Sequence, residues 1–220
     1  MSNKMYVKYA WLLLASFAIS SHALGYTEKK FKHPFYAGIS GGVGWTTWGG
    51  LVPAANKANP AIIMSTPNYV NEDGAIWSVF AGYEFLPYFA LEGAYMRYPD
   101  AKVVFDSMSL FTFENSGLTE FVTKTQVVSL VGKFMVFIPN TDIRVYSSLG
   151  AAETRRTDQI ASHWAPSPTF GAGVNYTFTE YVMGEIGGSY TAGHGESELS
   201  PANDYFPFLY SVFLRLALRF

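Results

Sequence analysis

The chain ends in a segment, residues 208–220 with the sequence FLYSVFLRLALRF, whose side chains alternate in character. Because successive side chains of an extended strand point to opposite faces, every second residue from Phe208 to Phe220 shares one face, and that face is aliphatic or aromatic throughout. The other face carries Arg215 and Arg219 among small and apolar residues. In a helix these arginines would be scattered among leucines without forming a stripe. The segment therefore predicts a β-strand with one uniformly apolar face.

The same period of two recurs along the chain and predicts about eight strands, each of the length that a tilted membrane-spanning strand needs. The predicted strands are residues 35–46, 75–85, 89–96, 127–138, 143–152, 170–178, 182–190 and 208–220. The connections between them alternate strictly between long and short. Short turns at 86–88, 139–142 and 179–180 separate long connections at 48–74, 99–120, 153–167 and 191–205.

This alternation of connection lengths predicts an up-and-down antiparallel barrel, with tight turns at one rim and long loops at the other. Closure of the sheet also leaves no exposed strand edge, which lipid would not tolerate. The apolar stretch at residues 103–113 in the second long connection is a candidate for hairpin strands beyond the membrane. If these strands joined the barrel, the strand number would rise to about ten.

Composition indicates which face of the strands points outward from the barrel. Charged residues make up only 15% of the chain and aromatic residues 17%, whereas ordinary soluble domains carry roughly 25% charged residues. A soluble, lipocalin-like barrel would place the apolar face inward and a polar face in water. Here the polar face has few charges and many small residues, and aromatic residues gather near strand ends, as in membrane-interface girdles. We therefore predict an all-β, integral transmembrane β-barrel in the bacterial outer membrane, with short periplasmic turns and long extracellular loops.

The N-terminal segment has the features of a secretory signal peptide. Lys4 and Lys8 precede an apolar run at residues 9–19, which is too short to span a bilayer as a helix, and small residues follow. We predict a signal peptide at residues 1–23, with cleavage after Ala23 and cleavage after Gly25 as the alternative. Residues 24–34 are then a periplasmic lead-in, and residues 35–220 are the barrel domain.

With the polar face inward, charged side chains from most strands point into the lumen. These residues are Glu84, Glu92, Lys133, Arg144, Glu185, Arg215 and Arg219. Charges in so narrow an interior are costly unless they are paired and hydrogen-bonded. We expect an ion-pair network that plugs the lumen, in which Arg215 contacts Glu92 or Glu185. The alternative is a narrow gated pore, opened when a pair rearranges.

Four sequence blocks carry a resemblance to a known family: FYAGISGGVGW, FAGYEFLPYFALEGAY, FGAGVNYTFTEYVMGEIGGSY and the terminal FLRLALRF. They resemble the membrane domain of outer membrane protein A and its small eight-stranded relatives. In such proteins a terminal aromatic residue with alternating apolar residues is the signal for the barrel-assembly machinery. The resemblance maps this signal onto Leu214, Leu216, Leu218 and Phe220.

Few residues suggest chemistry. The absence of cysteine excludes thiol catalysis, and the net charge of −2 gives no support for nucleic-acid binding. His194, Glu196 and Glu198 alternate in the last loop, where a metal site or, with Ser197, a lipid hydrolase is conceivable, but solvation is the simpler interpretation. We expect no catalytic, cofactor or metal site and no enzyme activity.

The remaining expectation is a structural and surface-interaction role. The partners would be outer-membrane lipid, the assembly machinery and an extracellular loop ligand, and the protein would be a monomer. Aromatic and methionine side chains on the first two long loops could bind such a ligand or pack on each other; they are Trp48, Met64, Tyr69, Phe105, Phe111 and Phe113.

Overall fold

The structure is a computed structural model that describes residues 32–52, 64, 66–195 and 205–220. The strands are β1 (Phe35–Trp45), β2 (Tyr69–Asn71), β3 (Gly74–Leu86), β4 (Phe89–Arg97), β5 (Ala101–Val104), β6 (Glu120–Phe137), β7 (Ile143–Thr157), β8 (Ser162–Thr177), β9 (Val182–Thr191) and β10 (Leu209–Arg219). A 3₁₀ helix spans Trp48–Leu51, and a short α-helix, α1, spans Leu110–Glu114. Within the described ranges, no helix is long and apolar enough to cross a membrane.

Eight strands close into an antiparallel barrel in the order β1, β3, β4, β6, β7, β8, β9 and β10. The last strand pairs with the first, so that Ile39 is the register partner of Leu216 on β10 and of Val79 on β3. The predicted closure of the sheet into an up-and-down barrel is therefore confirmed. Strands β2 and β5 lie outside this ring: β2 pairs with β5, and β5 pairs with β6, so the barrel has eight strands rather than ten.

The two faces of the barrel follow the predicted alternation. On β10 the outward residues Leu214, Leu216 and Leu218 are exposed, whereas Phe213 and Ala217 between them are buried. On the other barrel strands, most large apolar side chains at the outward positions are likewise exposed, as an outer surface covered by lipid requires. The buried interior is narrow, because an eight-stranded barrel has room for little more than its own side chains.

Tight turns join β3 to β4, β6 to β7 and β8 to β9 at one rim. In the β6–β7 turn, Asn140 adopts a positive φ of 61°, a conformation that asparagine tolerates better than most residues. The hydroxyl of Thr141 donates to the carbonyl of Ile138 at 2.9 Å and fixes the chain reversal. The opposite rim carries the 3₁₀ helix, β2, β5 and α1, so long connections lie at that end only.

Strands β6, β7 and β8 continue well past this rim, which the sequence analysis did not anticipate. The prediction of a loop at 153–167 is wrong, because β7 runs to Thr157 and β8 begins at Ser162. Asp158 closes the turn by accepting hydrogen bonds from the backbone N–H groups of Ile160 and Ala161 at 2.9 and 2.8 Å. Pro166 fits in β8 because β9 pairs only as far as Thr169, so that no strand of the described residues pairs with this edge of β8 at Pro166.

The second long connection is also only partly a hairpin. Strand β5 pairs with β6, but residues 110–114 form α1 rather than the predicted strand. Ser109 caps this helix by accepting a hydrogen bond from the N–H of Thr112 at 3.2 Å. The local capping sequence thus overrides the apolar pattern that predicted a strand.

A small hydrophobic core fills the extracellular extension of the barrel. It contains Trp48, Leu51, Ala101, Val103, Phe105, Phe111, Phe121 and Tyr205. Of the loop side chains for which two roles were open, Trp48, Phe105 and Phe111 belong to this core. Met64, Tyr69 and Phe113 are exposed, at 41%, 58% and 68%. Packing is therefore confirmed for the first subset, and ligand binding by the second stays a prediction.

Other sequence predictions fall outside the described residues. The signal peptide at 1–23 and most of the lead-in at 24–34 belong to this group, and both stay predictions. So do Glu196, Ser197 and Glu198 of the last loop.

Candidate functional site

The interior of the barrel holds two sets of buried ionic side chains. The first set, named here the mid layer, consists of Glu92 on β4, Lys133 on β6, Glu185 on β9 and Arg215 on β10. Lys133 donates to Glu92 at 3.4 Å and also to Glu185, while Arg215 donates to Glu92 at 2.6 Å and to Glu185 at 3.2 Å. Each cation thus bridges both carboxylates, and the layer is electrically balanced.

Aromatic side chains surround the mid layer, and two tyrosines add hydrogen bonds to its carboxylates. Tyr36 donates to Glu92 at 2.9 Å, and Tyr146 donates to Glu185 at 2.6 Å. The ammonium of Lys133 lies 4.0 Å from the centre of the Tyr146 ring. These contacts give the buried charges partners in addition to their opposite charges, which is the condition under which such pairs persist in a low-dielectric interior.

Arg215 is further enclosed by phenylalanine rings. Its guanidinium carbon lies 4.6 Å from the ring centre of Phe80 and 4.2 Å from that of Phe213. The side chain is only 8% exposed. Stacking and ion pairing together fix its position across the lumen.

The second set, the rim layer, lies closer to the short-turn rim. It consists of Glu84 near the end of β3, Arg144 at the start of β7 and Arg219 at the end of β10. Arg144 donates to Glu84 at 2.9 Å and to the side-chain oxygen of Asn175 at 2.9 Å, and Arg219 also donates to Glu84. All three charged side chains are buried. A solute crossing the barrel would meet this layer as well as the mid layer.

Glycine makes room for the tyrosines of the network. A β-carbon on Gly187 would lie 2.3 Å from the hydroxyl oxygen of Tyr146, and one on Gly82 would lie 2.4 Å from that of Tyr36. No real side chain tolerates such distances. These inward positions must therefore remain glycine for the tyrosines to reach Glu185 and Glu92.

A small cavity of about 40 Å³ adjoins the mid layer on its extracellular side. Hydroxyl pairs from neighbouring strands line this part of the lumen: Ser189 and Ser211 lie 2.7 Å apart, and Thr169 and Thr191 lie 2.9 Å apart. The cavity has room for water but not for a larger solute.

A further buried cation lies in the extracellular extension. Arg156 donates to Asp158 at 2.6 Å and to the backbone oxygen of Tyr205 at 3.0 Å, and its guanidinium carbon lies 4.7 Å from the Trp48 ring centre. Arg156 was not among the predicted buried charges because residues 153–167 were predicted to form a loop. The alternation of β7 simply continues to it, and that continuation was the available signal.

Glu72 stabilises the start of the first long connection. Its carboxylate accepts hydrogen bonds from the hydroxyl of Thr46 at 2.5 Å and the N–H of Gly49 at 3.0 Å. Burial raises the pKa of the Glu72 carboxyl, although both hydrogen bonds act to lower it. Burial likewise raises the pKa of the Tyr205 hydroxyl.

The structure thus places all seven predicted lumen charges inside the barrel and sorts them into the two layers. Tyr36, Tyr146 and Asn175 were not included in the predicted network, although their inward position in the alternation was visible in the sequence. His194 contacts the ring of Phe206, with ring centres 4.7 Å apart. Among the described residues, no group of histidine and acidic side chains could hold a metal ion.

Comparison with known proteins agrees with this architecture. The barrel of Neisserial surface protein A is 12% identical, with 84% of this chain and 97% of that chain covered and a TM-score of 0.50. The outer membrane protein OprG from Pseudomonas aeruginosa is also 12% identical, with 86% and 97% covered and a TM-score of 0.50. At this identity the likeness concerns the fold alone. No curated protein sequence matches the chain.

The family assignment comes from the sequence profile of the OmpA-like transmembrane domain, which matches residues 31–220. This range contains the whole closed barrel and its buried ion pairs. The protein therefore belongs to the OmpA-like transmembrane domain family and is an integral β-barrel of the bacterial outer membrane.

Proposed function

We propose that this protein is a permanently closed structural barrel of the outer membrane, which presents its extracellular extension for surface interactions. The observation that carries the proposal is that two layers of buried ion pairs cross the lumen. The mid layer and the rim layer each join strands on different sides of the barrel through buried ion pairs. Opening a path would require both layers to break while their charges remain out of bulk water, which is costly.

The proposal includes three further expectations. The protein acts as a monomer, it has no catalytic activity, and the barrel-assembly machinery inserts it by recognising Leu214, Leu216, Leu218 and Phe220. The outward position of the three leucines and the 60% exposure of Phe220 support recognition of this segment. The exposed side chains of Tyr69 and Phe113 are the candidates for contact with an extracellular partner.

A narrow gated pore is the second candidate, and the small cavity beside the mid layer favours it. Lys133 and Arg215 each contact both Glu92 and Glu185, so one cation could in principle hold both carboxylates while the other moves. Such a movement would connect the cavity to the space between the layers. The rim layer would still have to open separately.

Single-channel recording in planar bilayers separates the two functions. We expect no conductance steps from the refolded wild-type protein at any voltage that the bilayer withstands, and heat-denatured protein provides the background. Discrete wild-type openings whose frequency changes in Arg215→Ala would refute the closed barrel and establish the pore. The absence of openings in both proteins would exclude the pore.

A further inference from the structure

Three cationic side chains lie close together on the outward face of the barrel at its long-loop end. They are Arg97 on β4, Lys124 on β6 and Arg155 on β7. Their outward direction follows from the burial of the residue on each side of them. These buried neighbours are Met96, Tyr98, Thr123, Thr125, Thr154 and Arg156.

The strand register brings the three cations together around one polar residue. Gln126 is the register partner of Arg97 on one side and of Arg155 on the other. Lys124 lies two residues along β6 from Gln126 and on the same face. Since neighbouring strands are about 4.8 Å apart, the backbones of Arg97 and Arg155 are separated by only about 10 Å. We name Arg97, Lys124, Gln126 and Arg155 the cationic patch.

The donors of this patch are largely free to bind a ligand. Among the described residues, neither Lys124 nor Arg155 has a carboxylate within ion-pair distance. Arg155 lies over the ring of Trp164, with its guanidinium carbon 5.5 Å from the ring centre. Arg97 contacts Asp100 at 3.2 Å, but both side chains are 38% exposed, and such pairs exchange partners at little cost.

The position of the patch indicates what it meets. Trp77 is the register partner of Arg97, it is 49% exposed, and its ring centre lies 5.6 Å from that of Tyr95. Trp164, at 45% exposure, borders the patch on the other side. Exposed tryptophans on the lipid face of a barrel mark the headgroup level of the membrane. The patch therefore faces outer-leaflet headgroups rather than acyl chains.

We propose that the cationic patch binds the phosphate groups of the phosphorylated glycolipid in the outer leaflet, lipopolysaccharide. Guanidinium groups match phosphate oxygens with paired hydrogen bonds, and an ammonium adds a mobile charge. The amide of Gln126, between the two arginines, supplies a neutral donor. This proposal uses the membrane location of the barrel and does not depend on whether the lumen is closed.

Glu153 gives the proposal a distinctive consequence. It is exposed on the outward face of β7, two residues from Arg155, and it repels phosphate. Removal of this carboxylate should therefore strengthen glycolipid binding, whereas removal of a patch cation should weaken it. If these side chains had only a structural role, the two kinds of substitution would not change glycolipid binding in opposite directions.

Native mass spectrometry of the refolded full chain in detergent can test the proposal with bisphosphorylated lipid A. We expect Lys124→Gln and Arg155→Gln each to weaken binding about fivefold, the effect of one cation near an anionic lipid surface. Glu153→Gln should increase the fraction bound, and monophosphoryl lipid A should bind less than the bisphosphorylated form. Lys32→Gln is the matched control, because Lys32 lies at the opposite rim and its side chain is 80% exposed.

Several results would overturn the site. Equal binding by the wild type and by the Lys124→Gln/Arg155→Gln variant would do so, as would an equal loss in Lys32→Gln. Phosphatidylglycerol binding as tightly as lipid A would show general attraction of anions. Displacement of lipid A by millimolar inorganic phosphate would show a small-anion site. A weakened Glu153→Gln variant would contradict the electrostatic argument itself.

Discussion

Lys133→Met is the substitution that isolates the contribution of one charge to the mid layer. The side chain of Lys133 is 2% exposed and bridges Glu92 and Glu185. Methionine has a similar unbranched length and no charge, so it keeps most of the packing against Tyr146. The variant leaves two buried carboxylates with Arg215 as their shared cation.

The expected cost follows from the bonds that are lost. Removing one partner of a buried ion pair costs about 3–5 kcal/mol, and two hydrogen bonds to charged groups amount to about 3–6 kcal/mol. Tyr36 at 2.9 Å, Tyr146 at 2.6 Å and Arg215 at 2.6 Å continue to donate to the carboxylates and offset part of this loss. We expect the free energy of unfolding to fall by about 3 kcal/mol.

A second variant separates the charge imbalance from the lost contacts. Lys133→Met/Glu185→Gln removes one charge of each sign, and the glutamine still accepts from Tyr146. The double variant should be destabilised by only about 1 kcal/mol, because neutral replacements of buried ion pairs are close to neutral in stability. Its cost should be smaller than that of Lys133→Met alone.

Equilibrium unfolding in urea, with the protein in phosphatidylcholine vesicles and tryptophan fluorescence as the signal, measures these values. Lys32→Met at the exposed rim is the control and should change stability by less than about 0.5 kcal/mol. The reasoning would be refuted if Lys133→Met were as stable as the wild type. It would also fail if the two single variants, Lys133→Met and Glu185→Gln, added without coupling in the double variant.

Two further predictions concern glycine and the chain terminus. Gly187→Ala should push Tyr146 away from Glu185 and lower the free energy of unfolding by about 1–3 kcal/mol in the same urea titration. Gly41→Ala is the control: its β-carbon would meet no atom, so the free energy of unfolding should not fall. Equal effects of the two alanines would contradict the steric argument. Deletion of Phe220 should reduce the fraction of folded barrel in cells, which is the fraction that migrates faster on gels when the sample is not boiled. Phe208→Ala, at the other end of the segment, should not reduce this fraction. Normal assembly without Phe220 would remove its proposed role as a signal.

The membrane-spanning part of the fold could be predicted because lipid outside and a narrow lumen inside impose one rule on every strand: side chains alternate between apolar outward and small or polar inward. This alternation correctly predicted that Leu214 and Leu216 point outward and that Glu92 and Arg215 point inward. The same rule would have assigned Tyr146 to the lumen. Its bond to Glu185 was missed because tyrosine on either face is common in barrels.

Beyond the membrane this rule no longer applies. Water can satisfy backbone groups there, so strands can continue, stop or become helical according to local contacts. Strand β7 continues to Thr157 because Arg156 and its neighbours cover the core around Trp48. Helix α1 forms because Ser109 caps it. Alternation indicates that Arg156 points inward, but it does not indicate either contact, since one depends on residues that are distant in sequence and the other on a single cap.

The ion pairs also bear on how the barrel selects its register. Few side chains interlock between the closing strands β1 and β10. Gly38 and Gly42 of β1 lie so close to the β10 backbone that a β-carbon would collide with it, so only glycine fits there. Apolar outer faces alone would tolerate a shift by two residues, since such a shift keeps every side chain on its own face. The mid layer does not tolerate it: Arg215 would move by about 7 Å along the strand and lose Glu92 and Glu185.

A shift by one residue would turn Arg215 toward lipid, where an arginine costs about 2–4 kcal/mol near the bilayer midplane. Arg215 therefore disfavours both register errors: the two-residue shift costs its ion pairs, and the one-residue shift exposes it to lipid. Since Glu92 and Arg215 belong to β4 and β10, which are not neighbours in the sheet, their pairing constrains the closure of the whole ring rather than one hairpin. The ion-pair network in the lumen thus specifies which closed barrel forms, and this effect does not depend on whether the lumen conducts.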